Sequence, residues 1–205
     1  MKNDSISTHL YTIEKPYGNY SLLSVDAAPN PGFKRPFNFV GYISDQSKLD
    51  LRQLGNEAKN NNQTVLYGHY PSSSKFFVAY RPSITTVLAL FGSTAARNLF
   101  SSLSIAYLCG HLHNGGGVIP KMQHMHRNGV AELELADWKK NRMFRILSFD
   151  HDIFSYTDQK WKDQGIYIHI TNPPQWQLTN PSRQVRFLIS NGILERPTWS
   201  YVGTH

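Results

Sequence analysis

The residues with most chemistry to offer are histidines. Five of the nine in the chain fall between His69 and His126, and three of those share a pattern. His69 lies in Tyr67-Gly68-His69-Tyr70-Pro71, while His111 and His113 lie in Leu108-Cys109-Gly110-His111-Leu112-His113. Each Gly-His pair closes a short apolar run, the place where a buried strand gives way to a loop. Ligands of open parallel sheets gather beyond the carboxyl ends of the strands, so His69 and His111 are expected to project into one crevice. The glycine before each removes a side chain where the backbone must turn closely past a site. His111 and His113, two apart in extended backbone, are expected to point the same way. Three neutral imidazoles at one sheet edge suit a borderline transition metal. Any one of these histidines alone reads as a satisfied polar residue at a strand end; the repetition on successive strands is what singles them out.

Other candidates carry less. His124 and His126 form a second His-x-His without a preceding strand or glycine, and both are expected at the surface. Gly115-Gly116-Gly117 makes a flexible loop bordering the crevice but lacks the Gly-Lys-Ser/Thr of a phosphate loop. Asp26 ends a strand and is expected to cap a turn rather than enter the site. The net charge of +7 is spread over both halves of the chain. Its densest cluster, Lys139, Lys140, Arg142 and Arg145, reads as a solvated turn and strand edge, so no nucleic-acid partner is expected. A single cysteine, Cys109, excludes an internal disulfide and suits a small buried hydrophobe. Met1 to Leu10 lacks the apolar stretch of a signal peptide. Ile84 to Phe91, the most apolar run, is far short of the roughly 20 residues that span a bilayer, so these residues are expected to be soluble. Asn3-Asp4-Ser5, Asn19-Tyr20-Ser21 and Asn62-Gln63-Thr64 are glycosylation sequons should the chain enter the secretory pathway.

The elements that must position the histidines follow from periodicity. Tyr20 to Asp26 reads as a buried strand ending in the breakers Asn30-Pro31-Gly32. Leu51, Leu54 and Ala58 fall on one helical face behind Asp45 and Ser47 as possible caps, and Asn60 to Asn62 ends that helix. Thr64 to Tyr67 is the next strand, so strand, helix and strand make a βαβ unit with parallel strands. Thr94 to Leu103 predicts a second helix and Ile105 to Leu108 a third strand. Beyond it Ala131-Glu132-Leu133-Glu134-Leu135 alternates with period two, and Lys139-Lys140-Asn141 reads as the turn of a hairpin into Arg142 to Phe149. Ile153 to Tyr156 adds an antiparallel strand across the turn Asp150-His151-Asp152. The Pro- and Asn-rich stretch after residue 160 surrounds two more β-like runs, Gly165 to Ile170 and Gln184 to Ile189.

The Gly68-His69 and Gly110-His111-x-His113 motifs resemble the last two motifs of the calcineurin-like metallophosphoesterases. Within that family the chain resembles the transmembrane protein 62 branch. The shared signature runs from Ala106-Tyr107-Leu108-Cys109-Gly110-His111-Leu112-His113 through Glu132-Leu133-Glu134-Leu135-Ala136-Asp137-Trp138-Lys139 to Arg145 and Phe149-Asp150-His151-Asp152. Gly18-Asn19-Tyr20-Ser21, Val25-Asp26 and Asn30-Pro31-Gly32-x-Lys34-Arg35-Pro36-x-Asn38-Phe39 are similar too, and the resemblance spans residues 11 to about 190. It implies an α/β (α+β) fold, a partial metallophosphoesterase β-sandwich with flanking helices over residues 1–159. An incomplete, all-β immunoglobulin-like segment would follow over residues 160–205.

The resemblance further implies that His69 and His111 bind one ion of a two-metal centre and His113 the other, the metals being manganese, iron or zinc. Paired cations of this kind hold the phosphate of a phosphoester, whose identity the sequence does not give, and stabilise the attacking and leaving oxygens. Three further family motifs, Asp-x-His, Gly-Asp-x-x-Asp and Gly-Asn-His-Asp/Glu, do not occur in these residues. The expectation is therefore a carboxyl-terminal half of the phosphoesterase domain, inactive by itself, from a membrane-anchored parent with this domain on the lumenal side of an endomembrane. A short isoform serving as a non-catalytic binding module is the alternative. A lone three-histidine zinc site, which needs no carboxylate, ranks last.

Overall fold

The computed structural model describes residues 8–28, 41–72, 94–113, 123–162, 165–173, 175 and 178. In chain order the elements are β1 (Leu10–Lys15), β2 (Gly18–Val25), α1 (Asp45–Ala58), β3 (Gln63–Gly68), α2 (Thr94–Leu103), β4 (Ala106–Cys109), β5 (Gln123–Met125), β6 (Ala131–Glu134), β7 (Met143–Asp150) and β8 (Ile153–Lys160). Six strands form one sheet in the order β1-β2-β3-β4-β6-β5, and β7 and β8 form a second. β2, β3, β4 and β6 run parallel, with Leu23 opposite Leu66 and Tyr107 opposite Glu132. The edge strands β1 and β5 run antiparallel to their neighbours.

The parallel strands read as continuous apolar runs because both their faces are covered. On one face Leu23, Leu66 and Tyr107 pack with Leu51 of α1 and Phe100 of α2. On the other, Val65, Ala106, Ala131 and Leu133 pack with Phe154 and Tyr156 of β8. The result is a layer of helices, a mixed sheet and a two-stranded sheet: the α/β fold that the sequence implies. Helix α1 starts one residue earlier than expected. Its cap is Ser44, whose Oγ accepts the Ser47 N–H at 3.0 Å, while Asp45 lies in the first turn and pairs with Lys48.

The hairpin expected between residues 131 and 149 does not form. β6 pairs instead with β4 and β5, and β7 pairs with β8 around His151 and Asp152. Period-two alternation predicts one wet face, but all four residues of β6 are buried. Its glutamates find partners inside the protein, so the strand can sit within the sheet rather than in a solvated hairpin.

The β7–β8 pair is fastened by a buried arginine. Arg145 donates to both oxygens of Asp158, at 2.5 and 2.8 Å, and to the carbonyls of Leu133 and Glu134, at 2.7 and 2.9 Å. Of the β-unit expected over residues 160–205, only 160–162, 165–173, 175 and 178 are described, and beyond Lys160 those residues contain no strand. The runs Lys75 to Gly92, Gly115 to Gly117 and Gln184 to Ile189 lie outside the described residues.

Candidate metal centre

His69 directly follows β3, and His111 comes two residues after β4. Because the two strands are parallel neighbours, both histidines leave the sheet at the same end. The pairing continues past the strands, with the Gly110 N–H donating to the His69 carbonyl at 3.2 Å. There Nε2 of His69 and Nδ1 of His111 stand 2.8 Å apart, with the rings 4.7 Å apart and nearly perpendicular. The Tyr70 ring packs against both imidazoles. Its carbonyl accepts the Tyr107 hydroxyl at 2.6 Å, which fixes the loop to β4.

Gly68 serves close approach as expected. A Cβ there would fall 2.7 Å from the Tyr107 hydroxyl and 3.0 Å from the Val25 carbonyl. Gly110 does not, since a Cβ would meet only the Leu135 carbonyl, at 3.7 Å. The backbone of the second loop is not extended either. His113 has a φ of 50°, in the left-handed region, so it does not simply repeat the direction of His111. Its Nδ1 lies 3.4 Å from Oδ2 of Asp137.

Burial lowers the pKa of His69, and the charge of His113 lowers it further. The pKa of His111 is lowered by burial first, then by His69 and His113. Both imidazoles thus favour the neutral form, which offers lone pairs. Asp137 is held below the usual carboxylate range by the N–H groups of Asn141 and Lys140 and, more weakly, by His113.

Among the described residues no group of three or more His, Cys, Asp or Glu side chains stands at metal-holding geometry. The two ring nitrogens of His69 and His111 share a hydrogen bond, one donating and the other accepting. A tetrahedral ion with nitrogen ligands at about 2.0–2.1 Å would hold them roughly 3.3 Å apart, so the pair fits such a cation once that shared proton leaves and the rings part by about half an ångström. A carboxylate beside the other nitrogen, as Asp137 lies beside Nδ1 of His113, commonly fixes the tautomer of a ligating histidine.

Among the other sequence candidates, His126 departs from the expectation while His124 and Asp26 do not. His124 is exposed, but His126 is only 6% exposed and puts Nε2 3.0 Å from Oε2 of Glu132. Asp26 caps a turn as expected, accepting the Ala28 N–H at 3.0 Å. Glu132, Glu134 and Asp137 stand in the shared signature, yet sequence reasoning gave them no role. The signal was present as two glutamates on one face of a strand between apolar residues that need burial.

A mixed α/β sheet with Gly-His loops at one end of two parallel strands is a partial α/β metallophosphoesterase fold. The comparisons agree. The chain is 39% identical over 173 residues, 84% of its length, to transmembrane protein 62 of Mus musculus. It is 27% identical over 190 aligned residues, 75% of its length, to a protein of Arabidopsis thaliana provisionally named a metallophosphoesterase. No family model and no solved structure matches. These similarities support the transmembrane protein 62 branch of the calcineurin-like metallophosphoesterases, and the chain spans about a quarter of the length of these relatives, 24% of each.

Proposed function

We propose that these residues form the histidine side of a two-metal phosphoester hydrolase centre, with His69 and His111 ligating one divalent ion and His113, backed by Asp137, ligating the other. The observation that carries this reading is the 2.8 Å approach of His69 Nε2 to His111 Nδ1 from the ends of adjacent parallel strands. Divalent ions in such a site polarise the phosphoryl group and stabilise the attacking and leaving oxygens. The protein's own part is to keep the imidazoles neutral and fixed in direction, and Tyr70 packs against both rings.

Residues 1–205 contain none of the three carboxylate- or asparagine-bearing motifs. The imidazoles bring no negative charge to offset repulsion between two cations, so this chain alone binds at most one ion and is inactive. In the same reading residues 1–159 are the carboxyl-terminal half of the phosphoesterase domain and 160–205 open an immunoglobulin-like unit. The parent is membrane-anchored with this part on the lumenal side, which glycosidase sensitivity at Asn62-Gln63-Thr64 tests.

The central test assays residues 1–205 beside a longer form carrying the missing motifs, on aryl phosphates and phosphodiesters with manganese, iron or zinc. The longer form is expected to turn over substrate and to lose most of its activity on His111→Ala, because a direct ligand of the metal that polarises the phosphoryl group is removed. Turnover by the short chain in a His111-dependent way would overturn the half-site reading.

A further inference from the structure

β6 is buried throughout, and its residues alternate between the two layers beside it. Ala131 and Leu133 enter the core beneath β7 and β8, which turns Glu132 and Glu134 to the opposite face. Both are nearly inaccessible, at 3% and 6% exposure. A carboxylate in such a place is costly unless donors surround it. The donors these two have found lie in the loops that carry the histidines.

Oε2 of Glu132 accepts the Ser72 N–H at 3.0 Å and also the Ser72 hydroxyl, three residues beyond His69. Oε1 of Glu134 accepts the Leu112 N–H at 2.6 Å, between His111 and His113. Each carboxylate has a second partner behind it: Nε2 of His126 lies 3.0 Å from Glu132, and the Cys109 thiol donates to Glu134 at 3.1 Å.

We propose that Glu132 and Glu134 are positioning residues, each clamping one Gly-His loop to β6 so that the imidazoles of His69 and His111 meet. Neither acts on substrate; Glu132 acts through the N–H and the hydroxyl of Ser72, and Glu134 through the N–H of Leu112. Ser72, His126 and Glu132 do not make a nucleophilic triad. The serine and the glutamate both approach the same ring nitrogen of His126, and the hydroxyl turns to the carboxylate, so the imidazole has no separate nitrogen to take a proton from serine. The clamp stands on its own geometry, and its consequence for metal binding rests on the reading above.

Two substitutions at each glutamate separate the clamp from packing. Glu134→Gln and Glu132→Gln keep an acceptor oxygen; Glu134→Leu and Glu132→Leu keep similar volume without one. In the 205-residue chain free of metal, Glu134→Leu is expected to speed amide exchange in residues 108–113 about tenfold, and Glu132→Leu that in residues 66–72, about the effect of one lost buried hydrogen bond. In competition with a chromophoric chelator, each leucine variant is expected to bind zinc about 10- to 100-fold more weakly, the usual cost of losing outer support. The glutamine variants stay near wild type in both measurements. Leu51→Ala, a core truncation that removes no hydrogen bond to either loop, is expected to lower stability and leave zinc affinity nearly unchanged.

Leucine variants that exchange and bind like wild type overturn the proposal. So do glutamine variants as impaired as leucine, or a Leu51→Ala chain that loses the same affinity. If Glu132→Leu does not fold, Ser72→Ala, which deletes only the hydroxyl, is expected to speed exchange in 66–72 and not in 108–113; no such difference overturns the clamp. A wild-type chain that binds no zinc overturns the claim that His69 and His111 hold an ion by themselves, and amide exchange then decides the clamp alone.

Discussion

Two glycines that look alike in the sequence have unlike surroundings. At Gly68 an added methyl would sit 2.7 Å from the Tyr107 hydroxyl and 3.0 Å from backbone. The tyrosine is fully buried and donates to the Tyr70 carbonyl, so it has nowhere to retreat. Gly68→Ala is expected to cost about 1–3 kcal/mol, the usual range for overpacking, and to loosen the His69 loop. Gly110→Ala meets only an ordinary contact at 3.7 Å and is expected to stay within about 0.5–1 kcal/mol of wild type, the cost or gain of backbone entropy. Urea denaturation of the two variants side by side checks the contrast, and equal losses would count against it.

Among the elements, the β7–β8 hairpin depends on one residue more than on any other. Arg145 reaches Asp158 on its own hairpin and two carbonyls around the end of β6, joining the two sheets with a side chain only 5% exposed. Arg145→Ala strands Asp158 and those carbonyls, and a loss of about 3–5 kcal/mol is expected, as for other broken buried pairs. Arg145→Lys recovers little, because an ammonium cannot reproduce the planar fork. Chemical denaturation measures both, and a lysine variant as stable as wild type would show that charge alone suffices. Leu51→Ala, with its side chain wholly enclosed between α1 and the sheet, is expected to cost about 2–5 kcal/mol by the same measurement.

The elements nearest the histidines were legible in the sequence because doubly covered strands announce themselves as apolar runs. Thr94–Leu103 appears as expected, and the parallel pairing that brings His69 to His111 follows from the βαβ pattern. Edge strands were not legible: Leu10–Lys15 and the exposed Gln123–Met125 carry little periodic signal. The place of β6 was misread because alternation fixes which residues share a face and is silent about what lies over that face. The buried partners of Glu132 and Glu134 lie 60 and 22 residues away, and local pattern does not reach them. Asp137 was missed for the same reason, since its approach to His113 depends on a φ near +50°, uncommon for any residue but glycine and not signalled by local pattern.

At the scale of the whole molecule, the segment after the hairpin shows two unlike sides. Tyr167 packs on Phe144, His169 bonds to Ser148, Ser155 and Thr157, and Thr171 to Asp150. The residues alternating with them point outward, with Ile166, Ile168 and Ile170 exposed by 92%, 69% and 64%. Three β-branched apolar side chains in a row make a surface that associates readily. Replacing all three by threonine is expected to reduce the fluorescence of an environment-sensitive apolar dye by about half or more while leaving the midpoint of unfolding nearly unchanged. Unchanged dye binding would mean that the stripe is covered in solution.

Cys109 offers a way to watch the centre of the molecule without building anything into it. It is the chain's sole cysteine, enclosed between β4 and β6, and burial followed by the charge of Glu134 pushes its thiol far above the ordinary range. Thiol reagents attack the thiolate, so in the folded chain they must wait until those strands part. The labelling rate, set against that of the denatured chain, counts how often the seam opens. Because Cys109 stands two residues before His111, an ion gripping the imidazoles would slow the colour change, and one that bound elsewhere would not.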